Sequence, residues 1–329
     1  VAGSQSSCRE TYELVALGTG DVCYEGWMEF DGRTLHDMHG LVVARRALMR
    51  YFYKQLLMFC SKDPAAVEKC IFCLTKDGTR LALKPGFFLH LYLTRRPSGA
   101  LANFQVTTLQ PNMPVEVYIS VKGTLRPIAY CRPSTLAACV YCVSGSDKLT
   151  RWTILGVQGA LLSHVIHPVY ITSIVLADAY QDIAVLHQVI NGRLQLAQES
   201  LPEPYRQSPV HLFEGPGVAP LNVSPICHSW SFNWCGGDEA LELVNGAVGK
   251  AAREEARSSL FISFATFLKN FSIAALQSRL GRQKSSTFMM LTEVHAEDYQ
   301  NVKQQVYAQL SLQDFGKWSQ KRLVDIFAS

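Results

Sequence analysis

The sequence predicts a single α/β domain. Strand-like and helix-like runs alternate along its 329 residues, no Pro/Gly/Ser-rich linker divides them, and 48% of the residues are apolar, enough for one large core. Tyr12 to Leu17 reads as the first strand and Trp27 to Phe30 as a second. From His39 to Cys60 the apolar positions switch to helical spacing, with Leu41, Val42, Ala44, Leu48, Phe52, Leu56 and Phe59 on or near one face. Asp63-Pro64 breaks that run, and Lys76-Asp77-Gly78 marks a turn between two short strands. Phe87 to Leu93 is dense enough in apolar residues to be a buried strand. Val115 to Val121 and Ala138 to Val143 are further strands, Trp152 to His164 an apolar helix, Ile171 to Ala177 a strand and Asp182 to Ile190 a short helix. Five prolines between positions 202 and 220 mark a loop-rich crossing with one short strand, Val210 to Phe213. Trp230 to Trp234 and Glu239 to Asn245 form a hairpin about Gly236-Gly237, and Ala251 to Phe271, Ala296 to Leu310 and Trp318 to Phe327 are helical.

Composition narrows the function classes. Charged residues make up 18% of the chain, too few for a disordered segment. A formal net charge of +4 is compatible with nucleic acid and does not establish it. No apolar run approaches the roughly 20 residues of a membrane helix, and Val1 to Arg9 lack the apolar block of a secretion signal. The expected setting is therefore the cytoplasm or the nucleus. Ten cysteines agree with this, because several lie inside apolar runs as buried reduced thiols do. Cys70-x-x-Cys73 and Cys139-x-x-Cys142 have pair spacing for zinc, but the pairs are too far apart in sequence for a compact ribbon, and structural thiols are the expectation.

The stretch Leu35-His36-Asp37-Met38-His39-Gly40-Leu41-Val42-Val43-Ala44-Arg45-Arg46 resembles the helix start of the adenosine deaminases acting on RNA, where His-Ala-Glu precedes Ile-Ile-x-Arg-Arg. The likeness continues in order. Phe88 to Thr94 resembles a family strand. Ser146-Asp147-Lys148-Leu149-Thr150-Arg151-Trp152 and Gly156-Val157-Gln158-Gly159-Ala160-Leu161-Leu162-Ser163 are close to two family blocks, and Asn233-Trp234 and Val248-Gly249-Lys250 are similar to two more. The resemblance implies a cytidine-deaminase-like mixed sheet flanked by helices, with a C-terminal helical extension around a basic cavity. It implies one editase-type domain over residues 1–329, truncated at its N-terminal edge.

That chemistry needs one His and two Cys on zinc, an open position for water, and a Glu that shuttles protons. Of these groups the matched positions keep His39 alone. The Glu falls on Leu41, the first Cys on Ser98 and the second on Gly145. Zinc is therefore not expected, and neither is hydrolytic deamination. The combination resembles the adenosine deaminase domain-containing proteins of the testis, a pseudoenzyme branch of the family. A different class, a residual hydrolase using Ser98 and His39, stands as the alternative. Competitive protection of editing substrates is a third reading.

The family encloses inositol hexakisphosphate, and its grip maps onto Arg45, Arg46, Lys148, Arg151, Trp152, Gln158, Tyr299, Lys303, Trp318 and Lys321. Departures at His36, Ala160, Met289 and Glu293 weaken that match. Lys122 falls on the base-flipping position, so it is an RNA-contact candidate without the flipping Glu, and a family Lys falls on Val22. The partners the resemblance implies are double-stranded RNA, reached through an upstream domain, and germ-cell RNA-granule proteins, with no membrane. Asp37 is expected to cap the helix that follows it.

Overall fold

The computed structural model describes residues 10–24, 34–97, 117–121, 124–127, 141–177, 183–194, 196–217, 229–251 and 296–312. They form a mixed α/β architecture in which small sheets are flanked by helices, the fold class the sequence predicts. The central element is α1 (Gly40–Phe59), whose buried face carries Val43, Ala47, Leu48, Phe52 and Leu56. It lies across an antiparallel sheet of β1 (Ala16–Gly18), β10 (Trp230–Cys235), β11 (Glu242–Asn245) and β12 (Lys250–Ala251). The approach is close at Gly18, where a Cβ would sit 2.0 Å from the Ala44 amide nitrogen, so only glycine fits.

A short helix, α2 (Pro64–Lys69), follows, with Asp63 accepting a hydrogen bond from the Ala65 amide as its cap. A hairpin of β2 (Phe72–Leu74) and β3 (Leu81–Leu83) comes next, turned at the Asp77-Gly78 step as its sequence requires. β4 (Leu89–Leu93), β8 (Ile171–Leu176) and β9 (His211–Glu214) form a parallel sheet. β5 (Val117–Val121), β6 (Thr124–Pro127) and β7 (Tyr141–Val143) form a third, antiparallel one. The main apolar cluster joins α1, β2, β8 and Trp152. A second cluster is built by α3 (Gly145–Leu155) and α6 (Glu297–Leu312), with Tyr299, Val302, Val306 and Leu310 of α6 meeting Ile154 and Leu155. Those α6 residues recur at three- and four-residue intervals, the spacing of one helix face.

Four readings of the sequence are corrected. Trp152 to His164 is two helices: α3 starts seven residues before Trp152 and stops at Gly156, and α4 (Gly159–Leu162) follows. Gly156 takes φ +71, and a Cβ there would lie 2.3 Å from the Gln158 Oε1. The start of α3 is concealed by a polar first turn. Ser144 caps it, accepting from the Asp147 amide at 3.1 Å, while Asp147 itself is buried against Arg193. Phe87 to Leu93 is not buried throughout. β4 is an edge strand of its sheet among the described residues, so Leu89, Leu91 and Leu93 pack inward, and Phe87 and Phe88 ahead of it are exposed. The first strand is confined to Ala16–Gly18, and the helix expected from Asp182 is α5 (Ile183–His187), running into a wider turn at Gln188–Gly192. The elements expected at Trp27–Phe30, Ala251–Phe271 and Trp318–Phe327 lie outside the described residues, Ala251 excepted.

Candidate functional site

α1 and α3 both start at one cluster of polar side chains. His39 occupies the N-cap position of α1 with extended backbone angles, and its carbonyl accepts from the Val42 and Val43 amides. The Gly40 amide is held by the Gly20 carbonyl at 2.7 Å, which pins the helix start to the segment after β1. That segment continues to Cys23, which makes an isolated antiparallel bridge with Asp37. Cys142 arrives from β7, two residues before the Ser144 cap of α3.

The His39 Nδ1 lies 2.8 Å from Asp37 Oδ1 and 3.5 Å from the Cys23 Sγ. The Cys23 Sγ lies 3.1 Å from the Cys142 Sγ. Cys23, Cys142 and Asp37 are buried, and His39 is partly exposed. Asp37 does not cap α1 through the usual N-cap geometry, because it precedes the N-cap residue. Its Oδ1 accepts from the His39 amide at 3.3 Å, and its Oδ2 is gripped by Lys148 at 2.7 Å. Lys148 also donates to the Val143 carbonyl at 2.5 Å, tying the first turn of α3 to the end of β7. Its neighbour Asp147 faces the other way, into a buried ion pair with Arg193. The Ser-Asp-Lys run thus serves two buried networks from consecutive positions.

The electrostatics follow from burial. The Cys23 thiol is held well above its ordinary pKa, chiefly by its hydrogen bond with Cys142, then by burial and the Asp37 charge, with Lys148 opposing. Burial lowers the pKa of the Arg46 guanidinium, and Asp37 opposes this. The helix starts bias the cluster toward negative charge.

This arrangement corrects the expectation of an isolated imidazole. His39 stands beside Asp37 and Cys23 in a group whose ligand atoms all lie within 4.8 Å of one another. Thiol, imidazole and carboxylate are zinc donors, so these three residues could hold a zinc-class ion, which counts against the expectation that zinc has no place here. Cys23 and Cys142 lie 119 positions apart, and neither occupies a matched cysteine position of the motif. The bridge that brings Cys23 beside Asp37 reveals the first, and the contact between the two sulfurs reveals the second. Gly145, at the second matched cysteine position, is the first residue of α3 and brings no side chain. Leu41, at the matched Glu, is partly buried and packs on the main apolar cluster. Ser98 and Lys122 lie outside the described residues.

The residues matched to the anion grip fall into several places. Arg45 lies 5.5 Å from the Trp152 ring centroid, and its Nε donates to the Val157 carbonyl at 2.8 Å. The Trp152 indole N–H is buried with no acceptor among the described residues. Arg151 reaches the Tyr307 hydroxyl at 3.3 Å, and Lys303 lies 5.9 Å from the same ring. Arg46 is directed at the Met38 sulfur, 3.9 Å away. Lys148 is engaged with Asp37, and Gln158 spends both ends of its amide on backbone, donating to Leu155 and accepting from Val169. Tyr299 packs edge-on against Tyr205 in the second apolar cluster. Trp318 and Lys321 lie outside the described residues. Of the two Cys-x-x-Cys pairs, Cys70 is buried and Cys73 partly so, as structural thiols are, whereas Cys142 joins the cluster at His39.

Residues 16–322 match the adenosine-deaminase (editase) domain. Over 328 residues the chain is 28% identical to the double-stranded RNA-specific editase Adar of Drosophila melanogaster, a match covering 94% of this chain and 48% of that protein. Against the double-stranded RNA-specific editase B2 of Mus musculus it is 29% identical over 334 residues, covering 94% and 44%. It is 28% identical over 189 residues to the tRNA-specific adenosine deaminase 1 of Drosophila melanogaster, covering 50% and 44%. The chain spans about half the length of these relatives or less.

Proposed function

The chain belongs to the adenosine-deaminase (editase) domain family, and on that premise we propose that it is a deaminase fold without deaminase activity, acting as an RNA-associated or protein-interaction scaffold. One observation carries this reading. The position matched to the proton-shuttling Glu is Leu41, and its side chain is committed to the apolar core. A zinc deaminase moves protons between the metal-bound water and the base through that carboxylate. Loss of a general acid/base alone costs about 10²–10⁴-fold in rate. Asp37 is no substitute, because it is buried and already engaged by Lys148 and the His39 amide.

The relatives named for double-stranded RNA support RNA as the partner class. Duplex binding would be supplied by an upstream domain, and the working setting would be RNA granules of male germ cells or the nucleus, as in the testis branch of the family. A polyphosphate of the inositol hexakisphosphate class is proposed as a ligand of the basic side. Its support is the buried Trp152 N–H with no acceptor among the described residues, the Arg45 guanidinium over that ring, and the Arg151 and Lys303 cations that meet at Tyr307.

The test is inosine formation from adenosine in duplex RNA, with purified chain at high enzyme-to-substrate ratio and zinc supplied. No inosine above background is the expected result. Inosine that accumulates with time and disappears in a His39→Ala variant would refute the proposal.

A further inference from the structure

Two thiols that stand 119 positions apart in the chain meet in the fold: the Cys23 and Cys142 Sγ atoms are 3.1 Å from each other. Both side chains are buried, at 0% and 1% exposure, and with Tyr24 they form a small cluster of their own, apart from the main apolar core. Cys70 shows what a structural thiol does here. Its sulfur serves the backbone, donating to the Gln55 carbonyl at 3.2 Å and accepting from the Phe72 amide at 3.3 Å. Cys23 and Cys142 direct their sulfurs at one another instead. The neighbours do not make either thiol part of a nucleophile–base–acid relay. In such a relay the nucleophile and the carboxylate address opposite ring nitrogens, whereas here the Cys23 Sγ and Asp37 Oδ1 both face the His39 Nδ1.

The pair is close to bonding distance. A disulfide has its sulfurs about 2.05 Å apart, so the two must close by roughly 1 Å. The backbone on either side has room to give. Cys23 is held by an isolated bridge to Asp37 and not by a strand ladder. Cys142 is the middle residue of β7, a three-residue strand at the edge of its sheet among the described residues.

We propose that Cys23 and Cys142 are an oxidative cross-link site, thiols in the reduced protein that close to a disulfide when the chain meets a peroxide. One sulfur attacks the peroxide and becomes a sulfenic acid, with release of a water. The other sulfur displaces the hydroxyl of that sulfenic acid and releases a second water. In sum two S–H bonds and the O–O bond break, one S–S bond and two O–H bonds form, and the peroxide takes two electrons from the sulfurs. His39, 20% exposed and 3.5 Å from the Cys23 Sγ, marks the side from which the oxidant arrives. Burial makes the reaction wait on local opening, so the site answers sustained oxidation and ignores a brief pulse. The cross-link closes a loop of 119 positions, which restricts the unfolded chain and stabilises the fold. It also ties to β7 the segment after β1, whose Gly20 carbonyl holds the first amide of α1. The pocket at His39 is thereby clamped in the oxidised protein, whether or not the chain deaminates.

The test uses the full chain, prepared reduced with a chelator present, treated with hydrogen peroxide and digested without reductant. Mass spectrometry should find Cys23 and Cys142 joined in the main disulfide-linked peptide, lighter by two hydrogen atoms than its two halves and separated by dithiothreitol. The same treatment in urea should scatter cross-links over the ten cysteines. The oxidised protein should melt at a higher temperature than the reduced one, and dithiothreitol should reverse the shift. Cys142→Ser should lose both the linked peptide and the shift, and Cys73→Ser, which leaves the pair intact, should keep both. Should Cys142→Ser fail to fold, the linked peptide and the reversible shift in the wild-type protein still decide. The proposal is overturned if peroxide leaves both thiols free, if it carries them to sulfinic acids unlinked, if the native chain scatters its cross-links as the unfolded one does, or if the shift persists in Cys142→Ser.

Discussion

Replacing Arg193 with Met tests the buried network under α3 at its most exposed assumption, that the charge pair itself holds the helix start. Arg193 and Asp147 are almost wholly buried and joined at 2.5 Å. The guanidinium also donates to the Thr150 hydroxyl at 2.7 Å and to the Val189 carbonyl at 2.6 Å. Met fills most of the volume and removes all three donors. Asp147 then keeps the Ser144 hydroxyl at 2.6 Å but loses its buried counter-charge. Breaking one side of a buried pair costs about 3–5 kcal/mol. At about 2.1 cal/mol/K of unfolding entropy per residue, a chain of 329 residues shifts by about 1.4 °C per kcal/mol, so the melting temperature should fall by about 4–7 °C. Salt should change this little, because buried pairs are poorly screened. Urea unfolding of Arg193→Met, Asp147→Asn and the double variant measures the pair. The double variant should be more stable than the sum of its parts by about 1–3 kcal/mol. A loss below about 1 kcal/mol in Arg193→Met, or strict additivity, would refute the reasoning.

Two further outcomes follow from other parts of the fold. Burial alone would raise the pKa of Asp238, but the Lys54 ammonium, the Cys235 amide and the Arg50 guanidinium outweigh it and hold the carboxyl below its ordinary range. A carboxyl with a depressed folded pKa stabilises above its unfolded value, about 3.9, and that stability is lost as pH falls through the folded value. Unfolding free energy should therefore drop as the pH falls below about 4, and Asp238→Asn should flatten this acid arm; an unchanged slope counts against the pairing. Gly156→Ala should destabilise by about 2–4 kcal/mol, from the left-handed backbone and the clash with Gln158; a neutral result in calorimetry would mean that the break between α3 and α4 relaxes freely.

The sequence exposed what depends on local order. α1 was readable because its apolar positions repeat over five turns, and β8 because Ile171, Thr172, Ile174 and Val175 are β-branched residues of the kind that favour strands. The break at Gly156 was not, because one glycine inside an apolar stretch leaves the periodicity on both sides intact. The candidate site was half legible. His39, Asp37 and Lys148 stand in motifs whose order along the chain is informative, but the cysteines that complete the cluster do not. Cys23 is 16 positions from His39, Cys142 is 119 from Cys23, and each sits in a short strand-like setting where a buried thiol needs no further reason. Proximity of that kind is created by the pairing of strands and by helices that start together, and no spacing rule encodes it.

The packing of α6 against α3 carries a consequence for how the protein is made. Tyr299, Val302, Val306 and Leu310 complete an apolar layer whose other half, Ile154 and Leu155, precedes them by well over a hundred residues. At about 5–20 residues per second, a ribosome delivers the first half many seconds before the second. Until then the outer side of α3 is greasy surface in search of a cover, a natural client for chaperones. A message cut short before Glu297 would leave it so for the life of the polypeptide.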